Sequence, residues 1–316
     1  MPLILVTTSP RVAPGLLSHR AWQVLAAGPV RTAAPDHPHL PFLAEAGIEV
    51  EVAEPDPAAL VREAQGGDVV WLEADEALMR LIGHAAVALD DPPVIEVVPG
   101  SYDLPGARLL DLVAVMDRLR TQCPWDAEQT HESLAPYLLE EAYEVLETIE
   151  EGDRGALREE LGDLLLQVAF HARVAQDRPE GEGGFDVDDV AAGIVDKLVR
   201  RHPHVFAAVR VDGAEQVSDN WETIKAAERA AKSGGDAGSP VDGVPMGQPA
   251  LSLAAQLLRR AGRAGVPADL PEGVPADGLG ARLFELVRQA QAEGLDPEAE
   301  LRAVSRAYRD MVRKRT

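Results

Sequence analysis

Two neighbouring stretches decide the fold of this chain: LLEEAYEVLE at residues 138–147 and LREELGDLLLQV at residues 157–168. Apolar residues recur in both at the spacing of an amphipathic helix, and acidic residues lie beside the apolar stripe. The connection Glu151-Gly152-Asp153 is a short turn, so the two helices are predicted to be antiparallel neighbours. We expect helices over residues 134–150, capped by Ser133, and 155–176, capped by Asp153.

Four acidic residues on these helices form two pairs. Glu141 and Glu144 are three residues apart, as are Glu160 and Asp163, so the members of each pair face the same way. Four carboxylates that converge between two helices would repel one another unless cations lie among them. Oxygen ligands without His or Cys favour Mg²⁺ or Mn²⁺. A solvated acidic helix face is the alternative, and the absence of a Glu-x-x-His motif disfavours a di-iron site.

A basic stretch follows in DKLVRRHPHVF, residues 196–206. It places Lys197, Arg200 and Arg201 at the end of a helix predicted over residues 187–201. Arginine forks and a lysine charge suit a phosphate group. Compensation of the helix dipole is the alternative reason for basic residues at this position.

The composition excludes several classes of protein. The chain has 316 residues and a net charge of −23, which disfavours a nucleic-acid-binding protein. Its one cysteine, Cys123, excludes an intrachain disulfide framework and a multi-cysteine zinc site. The sequence contains no run of ~18 apolar residues and no recognisable signal peptide. We therefore expect a cytoplasmic protein without nucleic-acid or membrane partners.

Charge and Pro/Gly content divide the chain into regions. Residues 1–104 are predicted to form a small α/β domain with a parallel sheet, because strand and helix patterns alternate. Residues 105–232 are predicted to be all helical, residues 233–240 a flexible linker, and residues 241–316 helical again. The patterns place strands at residues 3–7, 48–52, 69–72 and 94–98, and helices at residues 14–27, 57–65, 109–119, 214–231, 250–264, 279–292 and 297–314.

The last region contains a weak internal repeat. Residues 161–166, LGDLLL, are similar to residues 279–284, LGARLF, and an Asp-capped helix is predicted after each. Ala281 stands at the position of Asp163, and Gly278 at that of Glu160. We therefore predict a degenerate second copy with a structural role.

Several motifs together resemble the MazG family of nucleoside triphosphate pyrophosphohydrolases. They are E-E-x-x-E at 140–144, E-x-x-D at 160–163, CPWD at 123–126, DKLxRRHPHVF at 196–206 and W-x-x-I-K at 221–225. The resemblance covers about residues 107–232. It implies an all-α catalytic domain, a homodimer, Mg²⁺ dependence and cleavage of NTPs to NMP and pyrophosphate.

The resemblance also implies roles for individual residues. The metal ligands would be Glu141, Glu144, Glu160 and Asp163. The phosphates would be held by Lys197, Arg200 and Arg201, with Trp221 and Lys225 as further nucleotide contacts. Trp125 of the CPWD motif is a further candidate, although a tryptophan can also simply fill a core. A neighbouring acid, Glu140 or Glu159, would orient or deprotonate the attacking water.

The first region resembles a truncated tetrapyrrole-methylase domain, through VIEVVPGS at residues 94–101 and the position of residues 3–11. The Gly-rich cofactor loop is replaced by TTSPRVAPG, and the second methylase subdomain is missing. Two other functions stay open: a non-catalytic nucleotide-sensing or scaffolding protein, and an S-adenosylmethionine-dependent methyltransferase. The expected substrates are nucleoside triphosphates, either canonical or damaged.

Overall fold

The computed structural model describes residues 2–179, 181–207, 213, 216–217, 220–221, 223–225, 227–228 and 239–315. By its internal contacts the chain divides into two compact units, residues 1–193 and 194–316. In the part of the chain that is described, no helix combines the length and apolar character needed to cross a membrane.

The first unit begins with a five-stranded sheet in which all the pairs of neighbouring strands are parallel. The strand order is β3-β2-β4-β1-β5. This confirms the predicted parallel sheet. The strands are β1 (Pro2–Thr7), β2 (Val30–Thr32), β3 (Val50–Val52), β4 (Val69–Leu72) and β5 (Val94–Pro99), and the helices are α1 (His19–Ala27), α2 (Leu40–Glu45), α3 (Pro57–Ala64) and α4 (Glu76–Val87).

The centre of the sheet is buried on both faces because β4 and residues 2–6 of β1 are apolar at every position. Alternate side chains of a strand point to opposite faces. Leu3 and Leu5 of β1 therefore pack with Trp71 against α3 and α4, whereas Ile4 and Val6 pack against α1 and α2. Continuous apolar strands of this kind are typical of parallel sheets covered by helices.

Some elements of this region differ from the sequence prediction. The strand β2 and the helices α2 and α4 were not predicted. Helix α1 begins at His19 rather than at residue 14, because Gly15 has φ +87° and Ser18 accepts a hydrogen bond from the Ala21 amide as the N-cap. The region thus has one strand and two helices more than the pattern indicated.

The rest of the first unit is helical, as predicted. A small core of Met116, Leu134, Ala169 and Phe170 joins its helices. The helices are α5 (Arg108–Gln122), α6 (Pro124–Glu128), α7 (His131–Glu151), α8 (Arg154–Gln176) and α9 (Val187–Arg201), the last of which continues into the second unit.

Helices α7 and α8 form the predicted hairpin. Gly152 ends α7 with a left-handed φ of +74°, and the Asp153 carboxylate caps α8 by accepting hydrogen bonds from the amides of Gly155 and Ala156. The prediction of Ser133 as the cap of α7 was wrong. Thr130 is the N-cap, and Ser133 reciprocates as the third residue of a capping box.

Arg11, in the loop after β1, connects the sheet to the first helix of the helical part. Its guanidinium binds Asp103, with NH1 2.7 Å from Oδ2, and Asp111 of α5, with Nε 2.8 Å from Oδ1. The sheet and α5–α8 accordingly lie in one compact unit. The domain boundaries predicted after residues 104 and 232 stay predictions.

The second unit contains a three-helix group with its own core of Ala255, Leu258 and Val287. Ala281, which the predicted internal repeat aligns with Asp163, is buried. The predicted helix over residues 214–231 and linker over 233–240 lie largely outside the described residues. The helices are α10 (Pro203–Phe206), α11 (Ala250–Arg263), α12 (Leu279–Ala292) and α13 (Pro297–Arg313).

Candidate active site

The α7–α8 hairpin brings three of the four predicted metal ligands together. Carboxylate oxygens of Glu141, Glu144 and Glu160 all lie within 4.8 Å of one another. Asp163 lies one turn along α8 from Glu160 and is outside this group of three, although its charge acts on Glu141 and Glu160. We call these four residues the acidic cluster.

The acidic cluster raises the proton affinity of its own members. Partial burial raises the pKa of the Glu141 carboxyl, and the negative charges of Asp163 and Glu144 raise it further. Burial likewise raises the pKa of Glu160, with Glu144 and Asp163 as the next causes. Glu144 thus raises the pKa of both carboxyls, and one of its oxygens lies within 4.8 Å of an oxygen of each. The position therefore favours a positive charge.

A divalent cation fits the acidic cluster. Its donors are carboxylate oxygens, the hard ligands that Mg²⁺ and Mn²⁺ prefer. Two oxygens bound to one Mg²⁺ lie at most ~4 Å apart, since each Mg–O distance is about 2.1 Å. Small side-chain rotations would bring the three oxygens, now within 4.8 Å of one another, to such distances. Glu140 and Glu159, the two candidate bases, are exposed and directly precede Glu141 and Glu160 in the chain.

Trp125 lies on α6 with about half of its surface exposed. Its ring makes edge contacts with Phe170 of the helical core, at a centroid distance of 6.3 Å, and with Tyr137, at 6.1 Å. One part of the indole thus packs on the core and another is accessible. Its role in nucleotide binding stays a prediction.

In the second unit, two of the three predicted basic residues, Arg200 and Arg201, bind a carboxylate that the sequence analysis did not single out. Glu228 accepts hydrogen bonds from Arg200 Nε at 2.7 Å and from Arg201 NH2 at 2.6 Å. These bonds, Arg201 first and then Arg200, lower the pKa of Glu228 to about 2. Lys197 is exposed on α9.

Trp221 lies beside Arg201 and Lys225, and we call Arg200, Arg201 and Lys225 the basic group. The Lys225 ammonium lies 3.9 Å from the centroid of the Trp221 ring, and the Arg201 guanidinium lies 5.7 Å from it. The ring therefore contacts two cationic side chains, and its role in nucleotide binding stays a prediction. A signal for Glu228 was present in the sequence, because residues 221, 225 and 228 share one face of a helix.

Comparison with known proteins places these features in a family. Residues 129–206 match the model of the MazG nucleotide pyrophosphohydrolase domain. The chain is 51% identical over 238 residues to an uncharacterized 26.1 kDa protein of Streptomyces cacaoi. This match covers 75% of this chain and 93% of the Streptomyces protein. It is also 37% identical over 225 residues to a protein of Thermotoga maritima named nucleoside triphosphate pyrophosphohydrolase/pyrophosphatase MazG. This match covers 65% of this chain and 84% of the Thermotoga protein.

A longer relative is also similar. The nucleoside triphosphate pyrophosphohydrolase of Mycolicibacterium smegmatis is 45% identical over 210 residues. The match covers 66% of this chain and 60% of that protein, so the chain spans less than two thirds of its length.

Proposed function

The chain belongs to the MazG family of nucleotide pyrophosphohydrolases, and on that premise we propose that it hydrolyses nucleoside triphosphates to the monophosphate and pyrophosphate. The observation that carries the proposal is the group of three carboxylates between α7 and α8, with oxygens within 4.8 Å of one another. Such a concentration of negative charge is costly unless a cation neutralises it.

We propose Mg²⁺, with Mn²⁺ as a substitute, as the cation of this site. Glu141, Glu144, Glu160 and Asp163 would hold it, since all four offer hard oxygen ligands. When bound, the cation supplies neutralisation of phosphate charge and a lower pKa for bound water. The four carboxylates would hold and orient the metal through their oxygens.

The basic residues would hold the phosphates. Cleavage of a triphosphate depends mainly on positioning and on charge neutralisation. We propose that Arg200, Arg201 and Lys197 bind the phosphates that leave as pyrophosphate. Glu140 and Glu159 are the two candidates to accept the proton of the attacking water, and their separate replacement by glutamine decides between them.

We assign structural roles to the two flanking regions. In the N-terminal region, Arg11 in the loop after β1 forms ion pairs with Asp103 and Asp111. These ion pairs anchor α5 to the sheet, so we assign this loop a structural role in place of methyl-donor binding. In the C-terminal region, Ala281 is buried in place of a carboxylate. A truncated methylase-like domain and a degenerate second MazG copy are consistent with these features.

We further propose a homodimer that works on the cytoplasmic nucleotide pool. Both helices of the hairpin expose large apolar side chains, a feature of surfaces that become covered on association. Hydrolysis of nucleoside triphosphates to monophosphates would also remove damaged nucleotides from that pool. The exposed apolar residues are Leu139, Tyr143, Leu146 and Ile149 of α7, and Leu161, Leu165 and Val168 of α8.

A coupled phosphate assay tests the proposed reaction. Purified protein with Mg²⁺ and a panel of canonical and oxidised nucleotides should yield orthophosphate only when inorganic pyrophosphatase is added, because the direct product is pyrophosphate. EDTA should abolish the formation of NMP, which is followed by chromatography because the coupling enzyme itself needs Mg²⁺. Orthophosphate and NDP formed without the coupling enzyme would contradict the proposal.

A further inference from the structure

Two consecutive arginines converge on one point in the second unit. Neighbouring residues of an α-helix project about 100° apart, so their side chains do not normally meet. Arg200 and Arg201 nevertheless approach the same carboxylate, because Glu228 accepts a bond from each. The shared acceptor is what brings the two guanidinium groups together.

The contacts also fix how each guanidinium is oriented. Arg200 binds Glu228 through Nε alone, so its two terminal nitrogens take no part in the bond. Arg201 binds through Nε, at 3.2 Å from Oε2, and through NH2 at 2.6 Å, which leaves NH1 outside the pair. Charge-assisted bonds of this kind are short and directional. Each arginine thus keeps N–H donors for a second anion.

The charge of the trio suits an anion as well. Two guanidinium groups and one carboxylate carry a net charge of +1, and the Lys225 ammonium lies beside Trp221, which also contacts Arg201. Without Glu228, the two arginines would repel each other and separate. Glu228 keeps the two arginines close and still leaves a net positive charge, so the arginines can bind a chain of phosphates together.

We propose that Glu228 is a positioning residue that orders Arg200 and Arg201 for the triphosphate group of the substrate. This inference rests on the proposed function, since it takes the two arginines as phosphate ligands. The proposal adds that Glu228 acts through the two arginines and need not contact the substrate itself.

Glu228→Gln tests the inference, because it keeps the shape of the side chain and removes its charge. We expect the KM for NTP to rise by ~10-fold and kcat to change by less than ~2-fold, since the loss falls on charge-assisted binding. Glu228→Asp, which keeps the charge, should recover part of the loss. Glu285→Gln is the control, because Glu285 also pairs with an arginine, Arg288 on α12, but at an exposed position.

A double-mutant cycle separates positioning from a purely structural role. If Glu228 acts through the arginines, Glu228→Gln should change KM by less than ~2-fold in a background that lacks both of them. An equal effect in both backgrounds would overturn the inference. So would a lower KM in Glu228→Gln, since Glu228 would then be a competitor of the phosphates.

Binding of inorganic tripolyphosphate, measured by calorimetry, keeps this inference distinct from the proposed reaction. The Glu228→Gln variant should bind tripolyphosphate ~10-fold more weakly than the wild type. If the wild type released no pyrophosphate, the proposed function would fail while this difference could still be measured. If the wild type is active and both proteins bind equally, the positioning role alone is wrong. If Glu228→Gln does not fold, Glu228→Asp gives the same comparison with a smaller expected difference.

Discussion

Replacing Glu144 by glutamine is expected to lower NTP turnover by ~100-fold or more, since it removes one ligand of the proposed metal site. Glu144 is the most informative position because its charge raises the pKa of both Glu141 and Glu160, and its carboxylate lies within 4.8 Å of both. Turnover is measured as pyrophosphate release at saturating Mg²⁺.

The same substitution should stabilise the metal-free protein. Removing one of several crowded negative charges relieves repulsion, and we expect the melting temperature in EDTA to rise by ~2 °C. Mg²⁺ should then raise the melting temperature less than it does in the wild type, because ligand binding stabilises in proportion to affinity. Glu132→Gln, at an exposed position in the first turn of α7, is the matched control. Wild-type turnover in Glu144→Gln would contradict the assignment of this residue.

Removing both arginines of the basic group is expected to have the second large effect. Each charge-assisted hydrogen bond to a phosphate is worth about 1.5–3 kcal/mol, so Arg200→Ala with Arg201→Ala should lower kcat/KM by ~100-fold or more. The measurement is steady-state pyrophosphate release at varied NTP concentration. Arg288→Ala removes a surface arginine that also pairs with a glutamate and should leave kcat/KM unchanged. A loss of less than fivefold in the double variant would show that other residues bind the phosphates.

The acidic hairpin could be predicted because its signals are local. The spacing of Glu141 and Glu144 fixes their common helix face, and the Gly152-Asp153 turn fixes the antiparallel neighbour. The start of α7 could not be chosen in the same way, since Thr130 and Ser133 each cap the other's amide. Either residue satisfies the pattern of an N-cap.

Other features could not be read from local patterns. The three-residue strand β2 is too short to show a periodicity, and it is held in place by its partners β3 and β4. Helix α4, by contrast, did have a local signal that the sequence analysis did not use. Asp75 caps the helix, and apolar residues follow at 78, 82 and 86. The bonds of Arg11 to Asp103 and Asp111 join residues about 100 positions apart, and only the folded chain brings them together.

The basic group shows a further limit. Lys197, Arg200 and Arg201 are recognisable as a cluster of charge, but their orientation depends on Glu228, 27 residues beyond Arg201. The helical spacing of Trp221, Lys225 and Glu228 indicated a shared face without indicating what that face contacts. Tertiary pairing of opposite charges decides this arrangement.

Binding of Mn²⁺ to the acidic cluster, followed by electron paramagnetic resonance, tests the central claim most directly. The free-ion signal should fall on titration with the wild type and with Glu132→Gln. With Glu144→Gln it should persist at the same protein concentration, because that variant has lost a ligand between Glu141 and Glu160. Equal Mn²⁺ binding by the wild type and Glu144→Gln would contradict the assignment of the metal site to the α7–α8 hairpin.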